Sequence, residues 1–183
     1  MPRSPVRICF VCSGNICRSP TAEVVAETLA RVEGLVGVVV ADSAGTGRWH
    51  VGEDMDERAR RTLLEAGYTP GRHVAKQFAA HMFDDRDLVV ALDSGHRDEL
   101  WDLAGASANV AGARAKIVRL REYDPLLGSA ETPDVADPYY GGARGFVEVL
   151  EQVERSCREL LAAVHRSVRH GQPVVQQADN PPS

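Results

Sequence analysis

The feature that most constrains this chain is a short loop between an apolar run and a helical pattern. Residues 6–11 form a short apolar run, and apolar residues recur every three or four positions over residues 22–29. These patterns predict a strand followed by a tight loop and a helix. Ser19 is a good N-cap residue and Pro20 suits the first helical position, so we expect the helix to begin there.

The residue types in this loop predict a site for a phosphate-sized anion. Backbone N–H groups at a helix N-terminus converge where the helix dipole is positive. Gly14 and Asn15 tolerate the left-handed backbone that such a loop requires. Cys12 and Arg18 stand at its two ends, and a helix N-terminus and a nearby guanidinium both favour a thiolate over a thiol. One loop could therefore hold a phosphoryl group and supply the sulfur that attacks phosphorus.

Composition places the chain among ordinary globular proteins. It has 183 residues, 44% apolar and 26% charged, which suits one domain with a sizeable core. The formal net charge of −5 argues against general nucleic-acid binding. No apolar run approaches the ~18 residues of a membrane span, and Ser13 and Gly14 interrupt the first apolar stretch before it could serve as the core of a signal peptide. We therefore expect a cytoplasmic protein.

Hydrophobic patterning predicts an α/β fold, a single three-layer domain with a four-stranded parallel sheet flanked by helices. The predicted strands are residues 6–11, 36–41, 88–92 and 117–120. Residues 54–57 have the spacing of a capping box for a second helix, Asp93 and Ser94 should cap a third, and a clear apolar stripe over residues 146–164 marks the last. The domain is expected to span residues 1–170, and residues 171–183 to be a disordered tail.

Two loops should meet at the carboxyl edge of this sheet, where ligands of such folds bind. The Cys12 loop follows the first predicted strand, and residues 42–47 form the exit loop of the second. A third loop, residues 124–140, holds three prolines and no periodicity, and loops of this length in compact domains are often functional.

Three sequence blocks, in order, resemble the low-molecular-weight protein tyrosine phosphatases. They are residues 12–20, residues 43–46 and residues 137–141. Residues 47–52 are similar to the actinobacterial members of that family, both mycobacterial and streptomycete. The match covers nearly the whole chain except the tail.

This resemblance implies a catalytic role for three residues. Cys12 would be the nucleophile that forms a phosphocysteine intermediate. Arg18 would clamp two phosphoryl oxygens, and Asp137 would protonate the leaving phenolate and then activate water. From the residues alone, Asp137 before Pro138 could equally start a turn. The implied phosphate cradle consists of Ser13, Gly14, Asn15, Ile16, Cys17 and Arg18.

The resemblance also implies supporting residues around the loop. Ser19 would hydrogen-bond the thiolate, although one hydroxyl could serve both this role and that of an N-cap. Asn15, Ser43 and a histidine, matched here by His73, would form a network that holds the loop.

Four residues are implied to select the substrate. Trp49 and Tyr139 would be aromatic walls for a phosphotyrosine ring. Ile16 and Tyr140 would complete the specificity set, and a partner kinase could phosphorylate either tyrosine.

Cys17 has a redox interpretation besides a packing one. A thiol close to a reactive thiolate can capture an oxidised sulfur as a disulfide, and the resemblance supports such reversible inactivation of Cys12. Metal binding is disfavoured because the two cysteines lack a second pair, and His50 and His73 have no matching spacing. No cofactor is implied. Cys9 and Cys157 fall on apolar patterns and should be small buried residues.

Three other functions compete with tyrosine phosphatase activity. A protein-arginine phosphatase resembles this family closely, but there a threonine replaces Ile16. A thiol-dependent arsenate reductase needs late resolving cysteines, and the only late cysteine is Cys157. A phosphate-binding module without turnover would not need Cys12, Arg18 and Asp137 together. The loop lacks the Gly-Lys-Ser/Thr of a Walker nucleotide site.

The resemblance extends to partners and location. It implies phosphotyrosine proteins as substrates and a cognate tyrosine kinase, with neither nucleic acid nor a membrane as a partner. A monomer is expected, with a weak dimer as the alternative. Export without a signal peptide is an alternative to the cytoplasm.

Overall fold

The computed structural model describes residues 4–174, which fold around one parallel β-sheet. Its strands are β1 (Val6–Cys12), β2 (Val39–Gly45), β3 (Leu88–Ala91) and β4 (Ile117–Arg119). They lie in the order β2-β1-β3-β4, and every neighbouring pair is parallel. The predicted four-stranded parallel sheet is confirmed. Since β1 lies inside the sheet, Cys12 at its carboxyl end is flanked by the ends of β2 and β3.

Helices cover both faces of this sheet. They are α1 (Arg18–Val32), α2 (Glu57–Glu65), α3 (Ser94–Leu103), α4 (Val110–Ala115) and α5 (Ala143–His170). Short 3-10 turns are Ala80–Phe83, Ala104–Ala106 and Leu120–Tyr123. Alternate residues of β1 face opposite ways, so Ile8 and Phe10 pack with α1, α2 and α5, while Cys9 and Val11 pack with α3 and α4. None of the helices in residues 4–174 combines the length and apolar character needed to cross a bilayer.

The start of α1 differs from the prediction. The helix begins at Arg18, and its capping position is Cys17, whose side chain makes no capping hydrogen bond. The prediction that Ser19 caps this helix is therefore wrong, and the Ser19 hydroxyl is used elsewhere.

Strand β2 is also displaced from its predicted position. It begins at Val39 because residues 35–38 form a turn, in which Gly37 has a φ of 81° and the Val38 N–H donates to the Leu35 carbonyl. It then continues to Gly45, so Ser43 lies within the strand and not in an exit loop.

Helix starts and loops elsewhere follow local capping chemistry. Asp56, not Asp54, caps α2 by accepting from the Arg58 N–H. Asp93 caps α3 as predicted, accepting from the His96 N–H. Helix α4 is absent from the prediction because its six residues show no apolar period.

Helix α5 ends where the disordered tail was predicted to begin. Gly171 ends the helix with a φ of 68°, the Gln172 N–H donates to the Ser167 carbonyl, and Val174 packs against the core. The remainder of the predicted tail, residues 175–183, lies outside the described residues.

Candidate active site

The loop after β1 has a backbone suited to binding an anion. Asn15 is held at a φ of 58°, in the left-handed region. Within residues 4–174, the backbone N–H groups of residues 13–17 donate to no other protein group. They lie directly before the N-terminus of α1, where the helix dipole adds positive potential. Five donors therefore remain available for a bound anion.

A cavity of about 360 Å³ opens over this loop. It brings Cys12 and Arg18 together with Asp137, which lies 119 residues after Arg18. The other lining residues are Ser13, Gly14, Ile16, Cys17, Trp49, His50, Tyr139 and Tyr140. The cavity therefore contains a thiol, a guanidinium and a carboxylate beside the unpaired N–H groups.

Cys12 is nearly buried, and its sulfur lies 2.9 Å from the Ser19 hydroxyl oxygen. That oxygen also accepts from Asn15 Nδ2 at 2.9 Å and lies 3.2 Å from the Ala44 carbonyl oxygen. The hydroxyl has one proton and two acceptors within reach. A thiolate is the stronger acceptor because it is charged, so Ser19 can donate to Cys12 when the sulfur is ionised.

Asn15 connects the loop to β2 and to the segment of residues 73–76. Its Nδ2 donates to Ser43 Oγ, and its Oδ1 accepts from the Lys76 N–H at 2.9 Å. His73 Nε2 lies 2.7 Å from the Asn15 carbonyl oxygen. Burial lowers the pKa of His73, which favours a neutral ring that carries its proton on Nε2 and donates to that carbonyl. These contacts hold Asn15 in its left-handed conformation.

Ser43 extends this hydrogen-bond network to α1. Its hydroxyl donates to Glu23 Oε2 at 2.5 Å. Burial is the main cause that raises the pKa of Glu23 above its ordinary value. The structure thus brings Asn15, Ser19, Ser43 and His73, all predicted from the resemblance, into one network.

Arg18 is buried and held by two carboxylates. Its Nη1 donates to Asp93 Oδ2 at 2.8 Å and to the Val135 carbonyl oxygen at 3.1 Å, and its Nη2 donates to Asp137 Oδ2 at 3.3 Å. Burial alone would raise the pKa of Asp93, but the contacts from His96 and Arg18 outweigh it and hold that pKa well below its usual range. Asp93 is therefore ionised at neutral pH and fixes the guanidinium.

The Asp137 loop is anchored at the N-terminus of α3. Asp134 Oδ1 accepts from the N–H and the hydroxyl of Ser94 at 2.8 and 2.7 Å. The Asp134 carbonyl oxygen accepts from Arg121 Nη1 at 3.1 Å. Asp137 itself is about half exposed, with 47% of its side chain accessible. It can therefore exchange protons with solvent while its loop stays attached to the sheet edge.

Aromatic side chains form the mouth of the cavity. Trp49 is 72% exposed and Tyr140 is 92% exposed, while Tyr139 is half-buried and meets Tyr140 edge to face at 5.0 Å. Arg58 lies 5.4 Å from the Tyr139 ring centroid and donates to the Tyr139 carbonyl oxygen. A side chain at residue 47 would overlap the Trp49 ring, so only Gly47 allows that ring its position.

Cys17 lies at the base of the cavity and is largely buried. Burial, followed by the nearby Asp56 carboxylate, raises the pKa of Cys17 to about 12. Ile16 is also largely buried and presents an apolar surface to the cavity.

Several residues that shape the site were not predicted. His50 lines the cavity, Asp93 holds Arg18, Arg58 supports Tyr139, and Asp134 anchors the Asp137 loop. Asp93 follows β3 at the carboxyl edge of the sheet, so the rule that ligands bind there could have indicated it. The others depend on contacts between distant loops, for which the sequence carries no local pattern.

Comparison with known proteins agrees with this fold and site. The model of the family described as "Low molecular weight phosphotyrosine protein phosphatase" matches residues 7–170. The low molecular weight protein-tyrosine-phosphatase of Streptomyces coelicolor is 49% identical over 162 residues, which cover 88% of this chain and 95% of the relative. Low molecular weight protein-tyrosine phosphatase A of Mycobacterium tuberculosis is 42% identical over 150 residues, covering 82% of this chain and 86% of the relative.

A solved structure extends the comparison to the whole fold. The crystal structure of YfkJ from Bacillus subtilis has a TM-score of 0.80 and 35% identity, covering 91% of this chain and 99% of that one. The fold and the cavity are those of a cysteine-containing α/β phosphatase. The chain belongs to the low molecular weight phosphotyrosine protein phosphatase family.

Proposed function

We propose that this chain hydrolyses phosphotyrosine monoesters through a phosphocysteine intermediate. One observation carries the proposal: Cys12 and Arg18 face the cavity formed over five unpaired backbone N–H groups. Such an array suits a phosphoryl group that gains charge on its equatorial oxygens as it is transferred.

The first step forms a bond from Cys12 Sγ to phosphorus and breaks the bond from phosphorus to the phenolic oxygen. Asp137 gives its proton to that oxygen, because a phenolate leaves poorly without one. Arg18 and the loop N–H groups hold the phosphoryl oxygens. In the second step Asp137 takes a proton from water, whose oxygen attacks phosphorus and releases inorganic phosphate and the Cys12 thiolate. The Ser19 hydroxyl, 2.9 Å from the sulfur, stabilises that thiolate.

The walls of the cavity support an aryl substrate. Trp49, Tyr139 and Tyr140 surround its mouth, and Ile16 adds apolar surface at its base. Ile16 disfavours phosphoarginine, the substrate of the alternative protein-arginine phosphatase. Arsenate reduction is disfavoured because Cys157 is fully buried on α5, and burial raises its pKa well above the ordinary value.

Substrate choice and the acid role can be tested together. We expect turnover of a phosphotyrosine peptide in the presence of a metal chelator and none of a phosphoarginine peptide. Cys12→Ser should abolish turnover and still bind inorganic phosphate. Asp137→Ala should lower kcat/KM for phenyl phosphate by about 100-fold or more. The loss should be much smaller for 4-nitrophenyl phosphate, because its leaving group, 4-nitrophenolate, departs without being protonated. Equal slowing of both substrates would remove Asp137 from the acid role.

Cys17 is proposed to protect an oxidised Cys12 by forming a disulfide with it. The proposal is supported by the place of Cys17 in the same loop, while its raised pKa makes the attacking thiolate scarce and the step slow at neutral pH. Mild peroxide should inactivate the enzyme and a thiol reductant should restore it. Equal recovery in Cys17→Ser would count against the role.

We further propose that residues 1–170 form the catalytic domain of a cytoplasmic monomer. All four cysteines are free thiols, which suits a reducing compartment. Phosphotyrosine proteins are the proposed substrates, and a tyrosine kinase the proposed partner, since Tyr140 is almost fully exposed beside the acid. Phosphorylation by such a kinase should change kcat/KM if this partner is regulatory.

A further inference from the structure

A buried histidine joins the first residue of the anion loop to helix α3. His96 lies in the first turn of α3, and only 4% of its side chain is exposed. Its Nε2 lies 2.8 Å from Ser13 Oγ. Its Nδ1 lies 3.0 Å from Asp93 Oδ1, although the angle there is not that of a hydrogen bond. His96 is not part of the cavity wall, so it can affect a ligand only through the residues it touches.

Those contacts reach both ends of the loop. Ser13 is the first loop residue and lines the cavity, and its carbonyl oxygen accepts from the Gly47 N–H. Asp93 uses its second carboxylate oxygen to hold Arg18, the residue that follows the loop. The imidazole and the carboxylate together therefore span residues 13–18, the segment that contains the five unpaired N–H groups.

Such a connection matters because the loop backbone is not regular. Asn15 is left-handed and Gly14 has no side chain to restrict it, so the loop needs contacts with the rest of the chain to keep this one conformation. A loop that is already held in its binding conformation loses less conformational entropy when an anion binds. A contact that fixes Ser13 therefore helps to fix the five backbone N–H donors that would bind the phosphoryl oxygens.

We propose that His96 is a positioning residue for the phosphoryl group, which acts by holding Ser13 through Nε2 and by packing against Asp93, the carboxylate that holds Arg18. This inference rests on the proposed function, because it assumes that the loop binds a phosphoryl group. It assigns a role to a contact between α3 and the loop, which is separate from the Asn15 network on the opposite side of β1.

The test measures binding and turnover separately. Calorimetry gives the affinity of the full chain for inorganic phosphate, and steady-state kinetics gives KM and kcat for an aryl phosphate. His96→Ala should weaken phosphate binding by about tenfold. This is the effect expected when one hydrogen bond is lost together with the loop conformation that it holds. KM should rise by a similar factor, while kcat changes by less than about threefold, since the same contact acts before and during the reaction.

Two further variants separate positioning from general stability. His96→Gln keeps an amide group that can donate to or accept from the Ser13 hydroxyl and should restore most of the phosphate affinity. Ser13→Ala should lose affinity as His96→Ala does, and the double variant should lose little more. Ser156→Ala removes a buried hydroxyl bond on α5 and should bind phosphate like the unaltered chain.

Three outcomes would overturn the inference: unchanged phosphate affinity in His96→Ala, no rescue by His96→Gln, or fully additive losses in the double variant. Failure of the proposed function would look different. The unaltered chain would then bind phosphate but release no phenol from an aryl phosphate, whatever residue occupies position 96.

Discussion

The hydroxyl oxygen of Ser19, in the first turn of the helix that follows the loop, lies 2.9 Å from the sulfur of Cys12. The same oxygen accepts from Asn15, so its proton is directed away from Asn15 and toward the sulfur or the Ala44 carbonyl. A serine that suits a helix cap by its chemistry is thus placed to stabilise an ionised thiol.

Ser19→Ala should lower kcat by roughly 10- to 100-fold, because a hydrogen bond to a charged group contributes about 1.5–3 kcal/mol. The thiolate would be harder to form as a nucleophile and harder to release in the second step. Steady-state kinetics on an aryl phosphate measures this. Thr28→Ala, which removes another hydroxyl bond on α1, is the control and should keep full activity. A kcat equal to that of the control would contradict the role of Ser19.

Asp134→Ala should make protonation of the leaving group by the proposed acid, Asp137, less efficient, although the Asp137 side chain itself is unchanged. Asp134 attaches the acid loop to Ser94, so its loss should let Asp137 leave the position from which it protonates the leaving group. We expect kcat/KM to fall about tenfold for phenyl phosphate and much less for 4-nitrophenyl phosphate. Glu148→Gln alters an exposed carboxylate on α5, paired with Arg144, and should leave both values unchanged. Equal losses with both substrates would show that Asp134 acts on binding instead.

Gly45→Ala should disturb the anion loop through packing. A Cβ at this position would lie 2.6 Å from the Ser13 carbonyl oxygen and 3.1 Å from the Asn15 nitrogen, and neither backbone atom can move freely. We expect the free energy of unfolding to fall by about 1–3 kcal/mol, as for other overpacked sites. Denaturant unfolding and phosphate binding should both report the change. At Gly105 a Cβ would meet open space, so Gly105→Ala should have neither effect.

The four cysteines should differ in their reaction with iodoacetamide at pH 7. Burial raises the pKa of Cys17 to about 12 and raises those of Cys9 and Cys157 as well, so these groups stay protonated and unreactive. Label should appear on Cys12 alone, and labelling of Cys17 should increase as the pH is raised toward its pKa. Mass spectrometry of a digest locates the adduct, and inorganic phosphate should protect Cys12. Labelling of Cys17 as fast as Cys12 at pH 7 would refute this ordering.

The sheet and the anion loop could be predicted because their patterns are local. The apolar run before Cys12 and the continuous run ending at Leu92 are buried strands, and each is followed by residues typical of a helix start. Boundaries were less predictable where the side chains of a segment serve tertiary contacts. Ser19 suits a cap, yet its hydroxyl bonds to Cys12, and the helix starts one residue earlier.

The residues of the site that could not be predicted from the sequence were missed for one physical reason. Arg58 and Arg121 carry charges that are typical of a solvated surface. Arg58 instead lies against Tyr139, and Arg121 is buried, where it holds the Asp134 carbonyl. Their partners lie on loops without a repeating pattern, so no local rule could pair them.

The loop that carries Cys12 is supported by residues that come later in the chain. Ser43 and His73 hold Asn15, Asp93 holds Arg18, and residues 137–140 complete the cavity. A ribosome-bound chain therefore displays Cys12 long before it has the groups that shape the loop around it. Chemical competence therefore requires the segment that carries Asp137, and a polypeptide that ends before this segment has Cys12 but not the complete cavity.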